Sequence, residues 1–88
     1  MKKLRMFIQQ QCPYCKAALR NLSFLMQEAI FSDIELETID ELIEGTLAAS
    51  YDYHYVPTFY YQERKLHEGA VSKEELREIL EAVNNDVQ

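Results

Sequence analysis

The chain has 88 residues, of which 48% are hydrophobic and 27% charged, so we expect one small globular domain. Its net charge of −6 argues against nucleic acid as a partner, because phosphate backbones bind surfaces rich in lysine and arginine. No stretch approaches the roughly 20 apolar residues of a membrane-spanning helix, and the apolar run after the first residues is too short for a signal peptide. We therefore expect a cytoplasmic monomer with no membrane partner.

The first predicted elements are a strand over residues 3–8 and a helix over residues 13–30. The strand is rich in apolar side chains, and a polar loop of three glutamines connects it to the helix. Apolar side chains recur along the helix at a spacing close to 3.6 residues, which indicates burial against a sheet. They are Ala18, Leu22, Leu25, Met26 and Ala29, and the stripe is broadened by Leu19 and Ile30.

A second strand and a second, weaker helix follow. Residues 34–39 alternate between apolar and polar side chains and are rich in β-formers, which predicts a strand. Residues 41–50 carry apolar side chains at helical spacing, although Gly45 within them weakens the pattern. A strand, a helix and a strand in this order imply two parallel strands joined by a right-handed crossover.

The last part of the chain predicts a hairpin and a helix. Residues 58–61 are expected to form a strand. Pro57 belongs at its start or at an edge of the sheet, because proline has no N–H group to donate into a ladder. Residues 62–64 then turn, and residues 65–67 pair back as a short edge strand. Ser72 and Glu75 form a capping box for the last helix. We expect one domain over residues 1–83 and a frayed polar tail over residues 84–88.

The most specific motif is Cys12-Pro13-Tyr14-Cys15, which contains both cysteines of the chain. A C-x-x-C between a strand and a helix is typical of a redox site. We expect Cys12 at the helix N-cap, where unpaired N–H groups and the positive end of the helix favour a thiolate. Thiols placed in this way have pKa values of roughly 3.5–7.5. Cys12 would then attack a disulfide, and Cys15 would resolve the product.

Other interpretations of the two cysteines stay open. They could form half of a zinc site, but no second C-x-x-C follows, and His54 and His67 lack the usual ligand spacing. They could also be inert core thiols, which would leave an interaction domain with vestigial cysteines. A third alternative is a module that binds a metal or an iron–sulfur cluster. Colour and metal content test the cluster, and thiol reactivity tests the vestigial site.

The predicted order β-α-β-α-β-β-α, with C-P-Y-C at the first strand–helix junction, resembles the thioredoxin superfold. The motif itself resembles the glutaredoxin active site, and Val56-Pro57-Thr58 resembles the segment whose cis proline faces the active cysteines. The resemblance covers residue 3 to about residue 83. It implies an α/β fold with a mixed four-stranded sheet flanked by three helices. It also implies a cis Pro57, which exposes the Val56 backbone to an incoming disulfide peptide or to glutathione.

The resemblance also implies a set of substrate- or glutathione-binding residues, and some of them depart from the glutaredoxin pattern. Gln9 stands where glutaredoxins usually carry a lysine for a glutathione carboxylate, so we expect weak glutathione use that a Gln9→Lys change improves. Residues 68–71 replace the usual Gly-Gly turn and resemble the thioredoxin one, yet Met6 stands where thioredoxins carry a buried aspartate. The implied binding residues are Gln9, Pro13, Tyr14, Tyr55, Val56, Pro57, Gly69 and Ala70.

Together these features predict a glutaredoxin-like thiol–disulfide oxidoreductase that takes part in electron transport and cell redox homeostasis. Its substrates would be disulfide-containing proteins or small disulfides, with Cys12 and Cys15 as the catalytic pair. We expect no tightly bound cofactor and no metal. The electron donor is either glutathione, acting as a co-substrate, or a flavin-containing thioredoxin reductase.

Overall fold

The computed structural model describes residues 1–86, in which one mixed sheet of four strands carries three helices. The strands are β1 (Lys2–Ile8), β2 (Ile34–Asp40), β3 (Thr58–Tyr61) and β4 (Arg64–Glu68), and the helices are α1 (Pro13–Leu25), α2 (Gly45–Ala49) and α3 (Lys73–Asn84). The strand order is β2-β1-β3-β4, in which β1 and β2 are parallel and the other pairs are antiparallel. The predicted fold and element order are therefore confirmed. No helix within residues 1–86 is long and apolar enough to cross a membrane.

Alternation along β1 divides the core between the two faces of the sheet. Leu4 and Met6 point to one face, where they pack in one cluster with buried side chains of α1 and α3. Phe7 points to the other face and packs with Ile39 of β2 and Ala48 of α2. The sheet is thus covered by α1 and α3 on one side and by α2 on the other. The carboxyl ends of β1 and β2 lie at the same edge, where the cysteine motif begins.

Helix α1 is shorter than predicted and ends at Leu25 instead of residue 30. A separate 3₁₀ turn over Ala29–Phe31 follows it. This turn buries Phe31, whereas Ala29 and Ile30 are exposed instead of continuing the helical stripe. Contacts with α3 hold the new direction of the chain, because the Asn84 side-chain amide donates to the Ile30 carbonyl at 2.8 Å. Tertiary contacts therefore override the helical pattern here.

Helix α2 also begins later than predicted, at Gly45 instead of residue 41. The cause is Asp40, whose carboxylate accepts the Leu42 N–H at 2.9 Å and whose carbonyl accepts the Ile43 and Glu44 N–H groups at 3.0 and 2.8 Å. An aspartate that bonds the backbone two residues on favours a turn over a helix. Leu42 and Ile43 are consequently exposed loop residues rather than a buried helix face.

The β3–β4 hairpin closes over two residues, so β4 begins one residue earlier than predicted, and the pairing of Glu68 with Thr58 extends it by one residue at its other end. Gln62 adopts a φ of 56° in this turn, where glycine is the usual residue. The predicted capping box of α3 is confirmed: Glu75 N–H donates to Ser72 Oγ at 3.0 Å, and Ser72 N–H donates to Glu75 Oε1 at 2.9 Å. Of the predicted tail, Asn84 belongs to α3, and residues 87–88 lie outside the described residues.

Candidate active site

The cysteine motif lies at the start of α1, where Cys12 is the N-cap and Pro13 is the first helical residue. Cys12 has an extended backbone, so its side chain turns back over the first turn of the helix. Its Sγ atom accepts the Cys15 N–H at 3.2 Å. The predicted N-cap position is confirmed, and a helix N–H group points at the sulfur that we expect to react.

The two thiols have different surroundings. Both are free, but Cys12 is partly exposed and Cys15 is only 1% exposed. Burial raises the pKa of Cys15 to about 12, together with the hydrogen bond that its thiol donates to Cys12 and the negative charge of Glu41. The nearby Gln9 backbone opposes this rise. The site therefore pairs an accessible sulfur with a buried thiol that stays protonated at neutral pH.

This asymmetry predicts selective alkylation. Iodoacetamide at neutral pH should modify Cys12 first and Cys15 at least about 100-fold more slowly, because Cys15 is buried and the thiolate is the reactive form. Mass spectrometry of the reduced Cys12→Ser and Cys15→Ser variants measures the two rates separately. Equal rates in the two variants would contradict the assignment of Cys12 as the nucleophile.

The segment before β3 faces Cys12 across the site. The Val56–Pro57 peptide bond is cis, as the resemblance implied, and the Val56 carbonyl lies 3.9 Å from Cys12 Sγ. Pro57 is buried, and its carbonyl accepts the Gly69 N–H at 2.7 Å. The backbone at Val56 is thus adjacent to the sulfur that an incoming disulfide must reach.

The turn after β4 adjoins this segment through Gly69. Gly69 has a φ of +93°, a conformation that side chains rarely adopt, and a Cβ atom there would lie 4.0 Å from that of Tyr55. Tyr55 is 71% exposed, and Tyr14 between the cysteines is 62% exposed. Two exposed aromatic side chains, one near Cys12 and one next to Val56, are therefore available to a substrate. Ala70 is also exposed, and its carbonyl lies 2.9 Å from His67 Nε2.

Gln9 takes part in a polar network that the sequence analysis missed. Its side-chain amide donates to one oxygen of the Glu41 carboxylate, and the Tyr53 hydroxyl donates to the other at 2.6 Å. The Glu41 N–H donates to the Ile8 carbonyl at 3.0 Å, which fixes the loop after β2 beside the end of β1. Burial and the bond to Glu41 raise the pKa of Tyr53. The sequence contained one signal that Glu41 lies near the site. Glu41 follows a strand predicted to be parallel to β1, and parallel neighbouring strands end at the same edge of the sheet.

Glu68 is the first of residues 68–71, which replace the Gly-Gly turn of glutaredoxins, but its contact with the segment before Val56 was not predicted from the sequence. It belongs to β4, and its Oε2 atom accepts the backbone N–H groups of His54 and Tyr55 at 2.5 and 3.0 Å. Its Oε1 atom lies 2.7 Å from Lys65 Nζ. Lys65 and the two N–H groups lower the pKa of Glu68 to about 2. The carboxylate is therefore turned into the segment before Val56 instead of lying free in the turn.

Both histidines lie outside any candidate metal site. The His54 side chain is exposed, and the His67 ring contacts Phe59 with ring centroids 6.4 Å apart. Over residues 1–86 no group of three or more His, Cys, Asp or Glu side chains is arranged to hold a metal ion.

Comparisons with known proteins agree with this architecture. A family model described as a thioredoxin domain matches residues 2–81. Thioredoxin from Halobacterium salinarum (N21Q mutant) superposes with a TM-score of 0.72 at 21% identity over 93% of this chain and 74% of that one. The germline-specific thioredoxin Deadhead from Drosophila melanogaster gives 0.70 at 20% identity over 90% and 77%.

An uncharacterized thioredoxin-like protein from Clostridium perfringens gives a TM-score of 0.69 at 25% identity, over 94% of this chain and 71% of that chain. A search of curated proteins found no match. The likeness to the solved structures concerns the fold, whereas the family model covers most of the chain. The chain therefore belongs to the thioredoxin-domain family.

Proposed function

We propose that the protein is a glutaredoxin-like thiol–disulfide oxidoreductase that reduces disulfides of proteins or small molecules in the cytoplasm. The observation that carries this proposal is the position of Cys12 Sγ. The atom is partly exposed at a helix N-cap, 3.2 Å from the Cys15 N–H and 3.9 Å from the Val56 carbonyl. A reactive sulfur, a second thiol within one turn and a backbone edge for a peptide are the parts that dithiol exchange requires.

The proposed reaction has two steps. The Cys12 thiolate attacks one sulfur of the substrate disulfide, so the S–S bond breaks and the other substrate sulfur leaves as a thiolate that takes up a proton. Cys15 then loses its proton and attacks Cys12 Sγ, which releases the second substrate thiolate. The substrate has gained two electrons, and the chain has acquired a Cys12–Cys15 disulfide. An external donor of two electrons restores the dithiol.

The electron donor is either glutathione or a flavin-containing thioredoxin reductase, and the site bears on which of them is used. Glutathione must be held by its charged ends, because few other groups can offset the lost freedom of so small a peptide. Gln9 carries no charge, and its amide is bonded to Glu41. We therefore expect glutathione to serve as a donor, but poorly.

The function is tested by the reduction of a peptide with one intramolecular disulfide. One arm contains glutathione and its reductase, and the other contains a flavin-dependent thioredoxin reductase; each is compared with a typical dithiol glutaredoxin and a typical thioredoxin. Turnover in either arm supports the oxidoreductase. Turnover with thioredoxin reductase alone would favour a thioredoxin-like redoxin, and no turnover in either arm would refute the function.

The Gln9–Glu41 contact changes what a Gln9→Lys substitution should do. The new ammonium group would lie beside the Glu41 carboxylate, which would attract it in place of a glutathione carboxylate. We expect Gln9→Lys alone to change glutathione-coupled turnover by less than about twofold, because the new ammonium group would be paired with Glu41 and an exposed ion pair contributes little free energy. Combining it with Glu41→Gln should raise turnover by about three- to tenfold. Equal turnover in the two variants would show that Glu41 does not compete for the ammonium group.

A further inference from the structure

Residues 52–57, here called the docking segment, lead into β3 and place Val56 opposite Cys12. The hairpin of β3 and β4 holds the carbonyl groups of this segment. Asp52 O accepts the Tyr60 hydroxyl at 2.7 Å and Lys65 Nζ at 3.2 Å, and the Tyr55 carbonyl accepts the Thr58 hydroxyl. These contacts attach the docking segment to the hairpin at Asp52, where the segment begins, and at the Tyr55 carbonyl.

The middle of the docking segment is not ordered by burial, because the His54 and Tyr55 side chains are both exposed. Their backbone N–H groups instead converge on Glu68 Oε2 at 2.5 and 3.0 Å. Hydrogen bonds to an ionised carboxylate are shorter and about twice as strong as neutral ones. One side chain therefore fixes two consecutive peptide groups immediately before Val56.

The carboxylate is itself held in place. Its other oxygen contacts Lys65 Nζ at 2.7 Å, and the Glu68 side chain is only 20% exposed. The Glu68 backbone pairs with Thr58, the residue after Pro57, in the antiparallel ladder. The base of this side chain is thus fixed to the same strand that the docking segment enters.

We propose that Glu68 is a positioning residue for disulfide exchange, whose carboxylate holds the docking segment so that the Val56 backbone faces Cys12 before a substrate arrives. This inference rests on the proposed function. A backbone edge that is ordered in advance loses less conformational freedom when a peptide pairs with it. Loss of the carboxylate should therefore weaken substrate docking and leave the chemistry of Cys12 unchanged.

The test compares Glu68→Ala and the nearly isosteric Glu68→Gln with the wild type. With the peptide disulfide, KM should rise about tenfold in Glu68→Ala and about threefold in Glu68→Gln, while kcat stays within about twofold. The alkylation rate of Cys12 should also stay within about twofold. Glu78→Ala, which removes an exposed carboxylate of α3, is the matched control and should leave KM unchanged.

Amide hydrogen exchange reports the same contact without any turnover. The His54 and Tyr55 amides should exchange about tenfold faster in Glu68→Ala, because each loses its acceptor. The Ser72 amide, held by Glu75 Oε1 at 2.9 Å, should keep its rate and serves as the internal reference.

The outcomes separate the two proposals. An active wild type with unchanged KM and unchanged exchange in both variants would overturn the role of Glu68 and leave the function intact. A parallel loss of Cys12 alkylation, kcat and melting temperature would also overturn it, because that pattern is general destabilisation. If Glu68→Ala does not fold, Glu68→Gln decides. A wild type without disulfide exchange refutes the function and the docking role with it, and the amides then show only whether the contact exists.

Discussion

Replacing Cys12 by serine should abolish disulfide exchange, whereas replacing Cys15 by serine should stop turnover after the first step. Cys12 supplies the accessible sulfur, so its loss should lower the rate by about 10³-fold or more, as for other nucleophile deletions. Cys15 is only 1% exposed and acts on the mixed disulfide, so Cys15→Ser should retain the first attack and accumulate a covalent adduct. Non-reducing mass spectrometry after incubation with a disulfide of two separate peptides measures that adduct, because the peptide thiol released in the first step then leaves and does not re-form the substrate.

The double variant Cys12→Ser/Cys15→Ser is the control, because it should form no adduct and should keep the fold. An adduct on Cys12→Ser that is as abundant as on Cys15→Ser would contradict the assigned roles. It would mean that the buried thiol reaches substrate directly. No adduct on Cys15→Ser, with the wild type active, would instead mean that exchange does not pass through a trapped Cys12 intermediate.

The parts of the site that the sequence predicted are those determined by local backbone geometry. A proline after Cys12 and a helical pattern beyond it determine the N-cap, and the capping box of α3 follows in the same way from Ser72 and Glu75. The cis bond before Pro57 came from the family resemblance, since an isolated Val-Pro pair has no local signal that requires it.

The parts that the sequence did not predict depend on contacts between distant elements. Glu41 reaches Gln9, which is 32 positions away in the chain, because β1 and β2 are parallel neighbours. Glu68 reaches His54 and Tyr55 only because β4 folds back on β3. Neither partner follows from periodicity or spacing. The position of Glu41 after a strand parallel to β1 and the position of Glu68 at the end of β4 indicate only the region in which each carboxylate lies.

The helix boundaries were wrong for a related reason. The apolar pattern continued to residue 30, but a bend after Leu25 buries Phe31 and lets Asn84 bond the Ile30 carbonyl. The pattern over residues 41–50 was interrupted by the turn at Asp40. In both cases hydrophobic spacing indicated the correct type of element, and hydrogen bonds outside that pattern decided where the element ended.

Phe7 should be the most sensitive position in the part of the core that supports the polar network. Its side chain is fully buried, and its ring centroid lies 4.8 Å from that of Tyr51, 4.9 Å from Tyr53 and 5.9 Å from Tyr60. Aromatic pairs at such distances add to the stabilisation that burial provides. Phe7→Ala should therefore lower the free energy of unfolding by about 3–5 kcal/mol, a large part of the total for a domain of this size.

Urea denaturation followed by far-UV circular dichroism measures this loss, with Phe24→Ala as the matched control. Phe24 is 58% exposed, and its ring centroid lies 4.1 Å from Lys73 Nζ. Its removal should therefore lower the free energy of unfolding by about 1 kcal/mol or less. An equal loss in the two variants would refute the central role of Phe7.

Because Phe7 stacks on Tyr53 and Tyr53 donates to Glu41, a folded Phe7→Ala protein should also hold Glu41 and Gln9 less firmly. Faster exchange of the Glu41 amide, which donates to the Ile8 carbonyl, would detect that loss beside the active site.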